Sequence, residues 1–335
     1  MRIAAVAGAC AAVAVCLAGC GQKQTGQGGA RRLTIAVIPK GTTHEFWKSV
    51  EAGAKRAGSE MGVEALWIGP EKEDDRGQQI DLVNNMVLRR ADAIVLAPLD
   101  KHALAAPVAR AKAAGIGVVI IDSDLEGGDY VCFAATDNKE GGRKAGRLTC
   151  RLVGERGDLV MLRYAENHAS TENREAGWLE VVREYGRTHP DVKVVSEEQR
   201  AGATKETAQS AAENLLDRFT RDGKLTVAAI FTPNESSTYG MLMALRNRRF
   251  AGKVRFVGFD ASKPLIQALA AGEIDGLVVQ NPEKMGYEGV KAAVAHIRGQ
   301  PVPRRIDTGA ALITKDDLGK PATKALVPNV DEWVR

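Results

Sequence analysis

The chain has 335 residues, 46 Lys and Arg against 42 Asp and Glu for a formal net charge of +4, and 44% hydrophobic residues. With both signs mixed along its length it carries no basic stripe, which excludes a nucleic-acid binder. It is also too long for one ordinary core and suits two domains of roughly 150 residues each.

Met1-Arg2 is followed by an apolar run from Ile3 to Leu17, then Leu17-Ala18-Gly19-Cys20 and a Gly/Gln-rich stretch over 21–30. The run is shorter than the roughly 20 residues of a spanning helix and ends in small residues, which predicts a secretion signal cut off as residues 1–19. Leu17-Ala18-Gly19-Cys20 resembles a bacterial lipobox, so Cys20 is expected to carry lipid. Cys16 is a poorer candidate, because bulky Val15 precedes it. Residues 20–31 then form a flexible, lipid-anchored tether. The protein is expected to be exported, on the periplasmic or extracytoplasmic face, touching the membrane through the anchor only.

From residue 32 short β-branched runs alternate with longer helical patterns. Residues 33–38 read as a strand, 46–61 as a helix with Val50, Ala54, Ala57 and Met61 on one face, and 63–68 as a strand. Helix 76–89, strand 93–96, helix 103–114, strands 118–121 and 131–134 and helix 139–153 continue the alternation. A second set has strands at 158–162, 192–196, 228–231, 255–258 and 276–279, with helices at 172–185, 205–219, 237–246, 264–271 and 285–298. The strand runs are continuously apolar, as in parallel sheets covered on both faces. The reading is an α/β protein with two doubly wound parallel sheets.

Cys132 and Cys150 fall at the start of a strand and near the end of the next helix, hence at one end of a βα unit. A helix packs about 10 Å from a sheet, beyond the roughly 7 Å Cα separation a disulfide tolerates, so both are expected as free, buried thiols.

Ligands in open parallel sheets bind beyond the carboxyl ends of the strands. After the first strand comes Lys40-Gly41-Thr42-Thr43-His44-Glu45-Phe46-Trp47, where two adjacent aromatics at a helix start are poor for burial on a single face, so one of them is expected to face the crevice. Asp122-Ser123-Asp124, Thr136-Asp137-Asn138, the loop to Arg174, Asn234, Asp260 and Gln280 follow later strands. Carboxylates accept from neighbouring hydroxyls, Arg donates in a fixed fork, amides do both, and an aromatic ring covers an apolar C–H face, which together suit a small sugar or polyol. Any one of Asp122, Asn138 or Asn234 alone reads equally well as a turn or capping residue.

Phe46-Trp47, Ala97-Pro98-Leu99-Asp100, Ile120-Ile121-Asp122, Ala135-Thr136-Asp137-Asn138 with Gly141-Gly142, Arg174 with Gly177-Trp178, Phe231 with Asn234, Val257-Gly258-Phe259-Asp260 and Gln280-Asn281-Pro282 resemble, in order, the ribose/galactose class of type I periplasmic binding proteins. The resemblance implies three crossovers, near 136–137, 280–281 and 309. It divides the body into an N-terminal α/β domain of 32–136 plus 281–309 and a C-terminal one of 137–280 plus 310–335. It carries ligand contacts to His44, Phe46, Trp47, Asp122, Arg174, Asn234, Asp260 and Gln280, and makes the chain the binding component of an ABC importer that hands its ligand to a permease. Ser123 completes the candidate set as a departure: ribose binders of this class place Arg there, and Asn at His44. That pattern points to a hexose, cyclitol or other polyol ahead of ribose. The protein is expected to be a monomer without cofactor or metal.

A repressor of the lactose-repressor type would need a helix-turn-helix before residue 32, where this chain has a lipobox and tether. A receptor serving a membrane kinase stays open as an alternative. An enzyme lacks its motifs: no second His follows His44 at zinc-protease spacing, and no C-x-x-C, G-x-G-x-x-G or Walker loop occurs. Asp122 and Asp260 remain as a conceivable carboxylate pair for a glycoside-processing enzyme.

Overall fold

The computed structural model describes residues 31–334, so the expected cleavage site, Cys20 and the tether up to residue 30 lie outside the described residues. β1 (Thr34–Ile38) sends Ile35 and Val37 into one apolar layer and Ala36 and Ile38 into another. Both of its faces are covered, which is why the run is continuous rather than alternating. α1 (Glu45–Met61) buries Phe46, Trp47, Val50, Ala54 and Ala57 and stops at Gly62, whose φ of 70° is the left-handed conformation a side chain disfavours. β2 (Glu64–Trp67), α2 (Arg76–Leu88), β3 (Ala93–Leu96), α3 (Ala105–Ala113), β4 (Gly117–Ile121) and β5 (Cys132–Ala135) complete the first pass. Asp75 starts α2 by accepting the Gln78 N–H at 2.8 Å.

The chain then crosses into a second lobe through α4 (Asn138–Val153), β6 (Arg156–Met161), α5 (Ala169–Thr188), β7 (Asp191–Ser196) and α6 (Lys205–Arg218). A small hairpin, β8 (Thr220–Arg221) and β9 (Lys224–Leu225), precedes β10 (Ala229–Phe231), α7 (Glu235–Asn247), β11 (Arg255–Phe259), α8 (Lys263–Ala271) and β12 (Gly276–Gln280). α9 (Pro282–Ile297) returns to pack on α1, and β13 (Arg305–Asp307) pairs with β5. β14 (Ala310–Ile313) crosses again to pair with β12, followed by α10 (Pro321–Leu326) and α11 (Val330–Val334).

The two large sheets run β13-β5-β4-β3-β1-β2 and β14-β12-β11-β10-β6-β7. The protein is thus an α/β fold with a mostly parallel sheet in each of two lobes. The first and last crossings lie side by side: Thr136 Oγ1 donates to the Gly309 carbonyl at 3.2 Å, and Arg305 Nη2 donates to the Thr136 carbonyl at 2.9 Å.

Helix packing brings α4 and α5 together at glycines. A Cβ on Gly142 would overlap the Arg174 carbonyl oxygen, and one on Gly177 would overlap that of Lys139. This contact sets the height of Arg174 above the sheet.

Three features differ from the sequence reading. β14 is antiparallel to β12, because a strand entering from a short crossing at the sheet edge has no helix to reverse it. The β8–β9 hairpin was missed although Asp222-Gly223, both at positive φ (49° and 71°), is a strong hairpin signal. Cys132 and Cys150 do not share a βα unit, since the chain changes lobes between β5 and α4. Both are nevertheless free and buried, and burial pushes each thiol up to about 11.

Candidate functional site

Asp122 is the first residue beyond β4, and Asp260 the first beyond β11. Their φ angles are 60° and 67°, in the left-handed region that Asp tolerates better than most side chains. Asp122 Oδ2 takes the Lys40 ammonium at 2.7 Å, while its backbone carbonyl accepts from Asn138 Nδ2 at 3.1 Å. Asp260 Oδ1 accepts from Gln280 Nε2 at 2.6 Å, and Oδ2 accepts the Glu235 N–H at 3.0 Å. Burial pushes the Asp260 carboxyl up to about 6, against the pull of Arg174 and Gln280.

Arg174 is only 2% exposed and is held on three sides. Its Nε donates to Asn138 Oδ1 at 2.8 Å, its Nη1 donates to the Pro233 carbonyl at 3.0 Å, and its guanidinium carbon lies 4.2 Å from the Phe259 ring centroid. Nη2 is buried without a hydrogen-bond partner, 3.8 Å from Asp122. Gln280 Oε1 is likewise unpartnered. Buried polar atoms in native proteins are paired as a rule, so these two orphans mark where a polar guest is wanted.

The aromatic side comes from α1. Phe46 and Trp47 meet edge to face with centroids 4.9 Å apart. Both line the cavity, because the cleft and the core flank the same helix end. Trp47 Nε1 donates to Glu73 Oε1 at 2.5 Å, His44 Nδ1 lies 3.0 Å from the same oxygen, and Tyr164 OH donates to Glu73 Oε2 at 2.6 Å from the other lobe. Glu235 Oε2 accepts the Phe46 N–H at 3.3 Å, also across the cleft. Lys205 Nζ sits 3.0 Å from Glu235 Oε1 but off hydrogen-bonding geometry, leaving that oxygen without a bonded donor.

These groups line a small cavity between the lobes. Lys40 reaching Ser170 Oγ at 3.2 Å, and Lys101 paired with Glu172 at 2.7 Å on the rim, add to the contacts between lobes. The lobes are therefore in contact around the cavity.

Of the residues singled out from sequence, His44, Phe46, Trp47, Asp122, Arg174, Asn234, Asp260 and Gln280 line this cavity. Ser123 does not: it is 1% exposed, and its hydroxyl accepts the Ser170 N–H at 3.0 Å, near the start of α5. Asn234 has a second duty, since its Oδ1 accepts the Ser237 N–H at 3.2 Å to cap α7. The lining residues missed from sequence are Lys40, Glu73, Tyr164, Ser170, Thr171 and Glu235. Lys40 and Tyr164 sit just past β1 and β6, where the strand-end rule already pointed. Glu73 lies in an acidic run, Glu71 to Asp75, in which nothing local singles it out.

The profile of a family described as Periplasmic binding protein domain matches residues 35–301. A periplasmic component of an ABC-type sugar transport system from Hahella chejuensis is 35% identical, with a TM-score of 0.78 over 84% of this chain and 99% of that one. A carbohydrate transporter solute-binding protein from Agrobacterium radiobacter, in complex with D-arabinose, is 32% identical, with a TM-score of 0.82 over 89% of this chain and 99% of that one. The D-allose-binding periplasmic protein of Escherichia coli K12 is 28% identical over 277 residues, covering 80% of this chain and 86% of its own.

Proposed function

The chain belongs to the periplasmic binding protein family, and on that premise we propose that it is the solute-binding component of an ABC importer, closing its lobes on a monosaccharide or polyol. The observation that carries this reading is the cavity between the lobes lined by Arg174 and Gln280, whose Nη2 and Oε1 are buried polar atoms without partners, with Asp122 and Asp260 beside Arg174 from opposite lobes. A polyhydroxylated ring supplies donors and acceptors at once, and the Phe46 and Trp47 rings offer a face for its C–H side. The relatives described above are binding proteins, which supports a role in capture.

In this reading Asp122, Arg174, Asp260 and Gln280 make the polar ligand contacts, with His44 and Asn234 adding to them. The N-terminal domain is residues 32–136 plus 281–309, and the C-terminal domain 137–280 plus 310–335. The chain is exported, cut before Cys20, anchored by lipid on that cysteine, and works as a monomer that presents its closed form to the permease. Contacts drawn from both lobes are complete only when the lobes meet, so ligand shifts the population toward the closed form.

A thermal-shift panel of pentoses, hexoses and cyclitols on the protein without its tether tests the ligand class; no stabilisation by any of them overturns it. Small-angle scattering should show a radius of gyration that does not rise, and falls if the free protein samples open forms, when D-allose or D-arabinose saturates the site. In cells, Cys20→Ala should release the protein from the membrane fraction, and an unchanged fraction refutes the anchor.

A further inference from the structure

Glu73 is spent entirely on the protein. One carboxylate oxygen serves His44 Nδ1 at 3.0 Å and Trp47 Nε1 at 2.5 Å, and the other takes the Tyr164 hydroxyl at 2.6 Å from the opposite lobe. It is 8% exposed and has no oxygen to offer a ligand without giving up one of these donors. What it does offer is orientation: with Nδ1 3.0 Å from the Glu73 carboxylate, the ring nitrogen of His44 left for the contents of the cleft is Nε2.

We propose that Glu73 is a positioning residue of this site, which turns His44 so that Nε2 faces the ligand, as an N–H donor while the imidazole is charged, and, through Tyr164, ties that arrangement to the closed cleft. The inference rests on the binding function proposed above and adds a demand on the ligand: an oxygen acceptor opposite His44, such as a hydroxyl or ring oxygen.

The groups facing His44 come from several elements: Glu73 ahead of α2, Glu235 on α7, Lys205 on α6, with Lys40 past β1 and Tyr164 past β6 reaching it through Glu73. Burial by itself lowers the proton affinity of His44, and the Glu73 carboxylate outweighs it, so the imidazole titrates above its ordinary 6.5. Burial alone would raise Glu73, but His44, Lys40 and the Tyr164 hydroxyl hold it well below the usual carboxylate range. A raised histidine is charged, with both nitrogens donating, below 6.5, and loses the Nε2 donor as pH climbs through its higher folded value.

Glu73→Gln keeps the shape and removes the charge. Ring-proton NMR of the ligand-free protein, with His44→Asn identifying the resonance among the five histidines, should place His44 above 6.5 in the wild type and at least half a unit lower, by roughly the scale of one lost neighbouring charge, in Glu73→Gln. With D-allose as probe, affinity should fall as pH rises through the His44 midpoint, the fall should begin at lower pH in Glu73→Gln, and His44→Asn should lack it. At a pH between the two His44 midpoints, Glu73→Gln should bind about tenfold more weakly, the scale of one charge-assisted hydrogen bond. Tyr164→Phe should weaken binding yet keep the pH profile. The same His44 midpoint in Glu73→Gln as in the wild type overturns the proposal, as does an identical pH profile. If wild-type protein binds no sugar, the binding function falls, and the NMR midpoint alone decides whether Glu73 positions His44.

Discussion

Asp122 and Asp260 occupy the same place in the two lobes. Each is the first residue beyond the third strand of its sheet, each has positive φ (60° and 67°), and the Arg174 guanidinium lies 3.8 Å from one and 3.9 Å from the other. Two carboxylates from opposite lobes thus flank a single guanidinium, at distances longer than a direct hydrogen bond.

Asn also tolerates the left-handed conformation, so Asp122→Asn isolates the charge from the backbone effect that Ala would add. Hydrogen bonds to charged groups contribute about 1.5 to 3 kcal/mol, so D-allose or D-arabinose should bind at least about tenfold more weakly to Asp122→Asn. Titration calorimetry giving wild-type affinity would place the ligand elsewhere.

Asp260 yields a stability prediction. Burial raises its folded pKa to about 6 from an ordinary 3.8, so between those values the native state binds the proton more readily than the unfolded chain. Ligand-free stability from this group is therefore present below 3.8 and lost as pH rises through about 6. Asp260→Asn should melt higher than wild type near neutral pH, by about 2–4 °C for each kcal/mol relieved, with the difference shrinking in acid. An equal or lower melting temperature near neutral pH would show that the carboxylate is not under strain there.

Gly142→Ala tests how Arg174 is placed. The new methyl must push α4 from the Arg174 carbonyl, which costs about 1–3 kcal/mol as overpacking. The melting temperature should fall, and ligand affinity should fall with it, since the guanidinium moves with its helix. Loss of stability with affinity intact would separate the two.

Ser123→Ala should leave the Ser170 N–H unpaired, at about 1–3 kcal/mol, and barely touch ligand affinity, because the hydroxyl faces α5 rather than the cavity. Ser123→Arg should chiefly destabilise the fold, since this side chain is 1% exposed. Differential scanning calorimetry beside a binding titration distinguishes a folding defect from a selectivity change.

Local chemistry made the architecture legible. Runs such as Ile94-Val95-Leu96 and Val118-Val119-Ile120-Ile121 can only be strands covered on both faces, and the parallel order puts the strand ends at one edge. That rule leads straight to Asp122, Asp260 and Gln280. It also names Ser123, because adjacency to Asp122 in sequence carries no information about which way a side chain turns after a residue at positive φ. Glu73 shows the converse: the four carboxylates of Glu71-Lys72-Glu73-Asp74-Asp75 are chemically alike, and only the tertiary approach of Trp47, His44 and, from the other lobe, Tyr164 makes one of them a buried acceptor. The sequence by itself therefore determined the two sheets, the strand ends and the polar character of the site. Tertiary structure alone decided which side chains meet across the cleft, because contacts between lobes join segments distant in sequence, which no local pattern encodes.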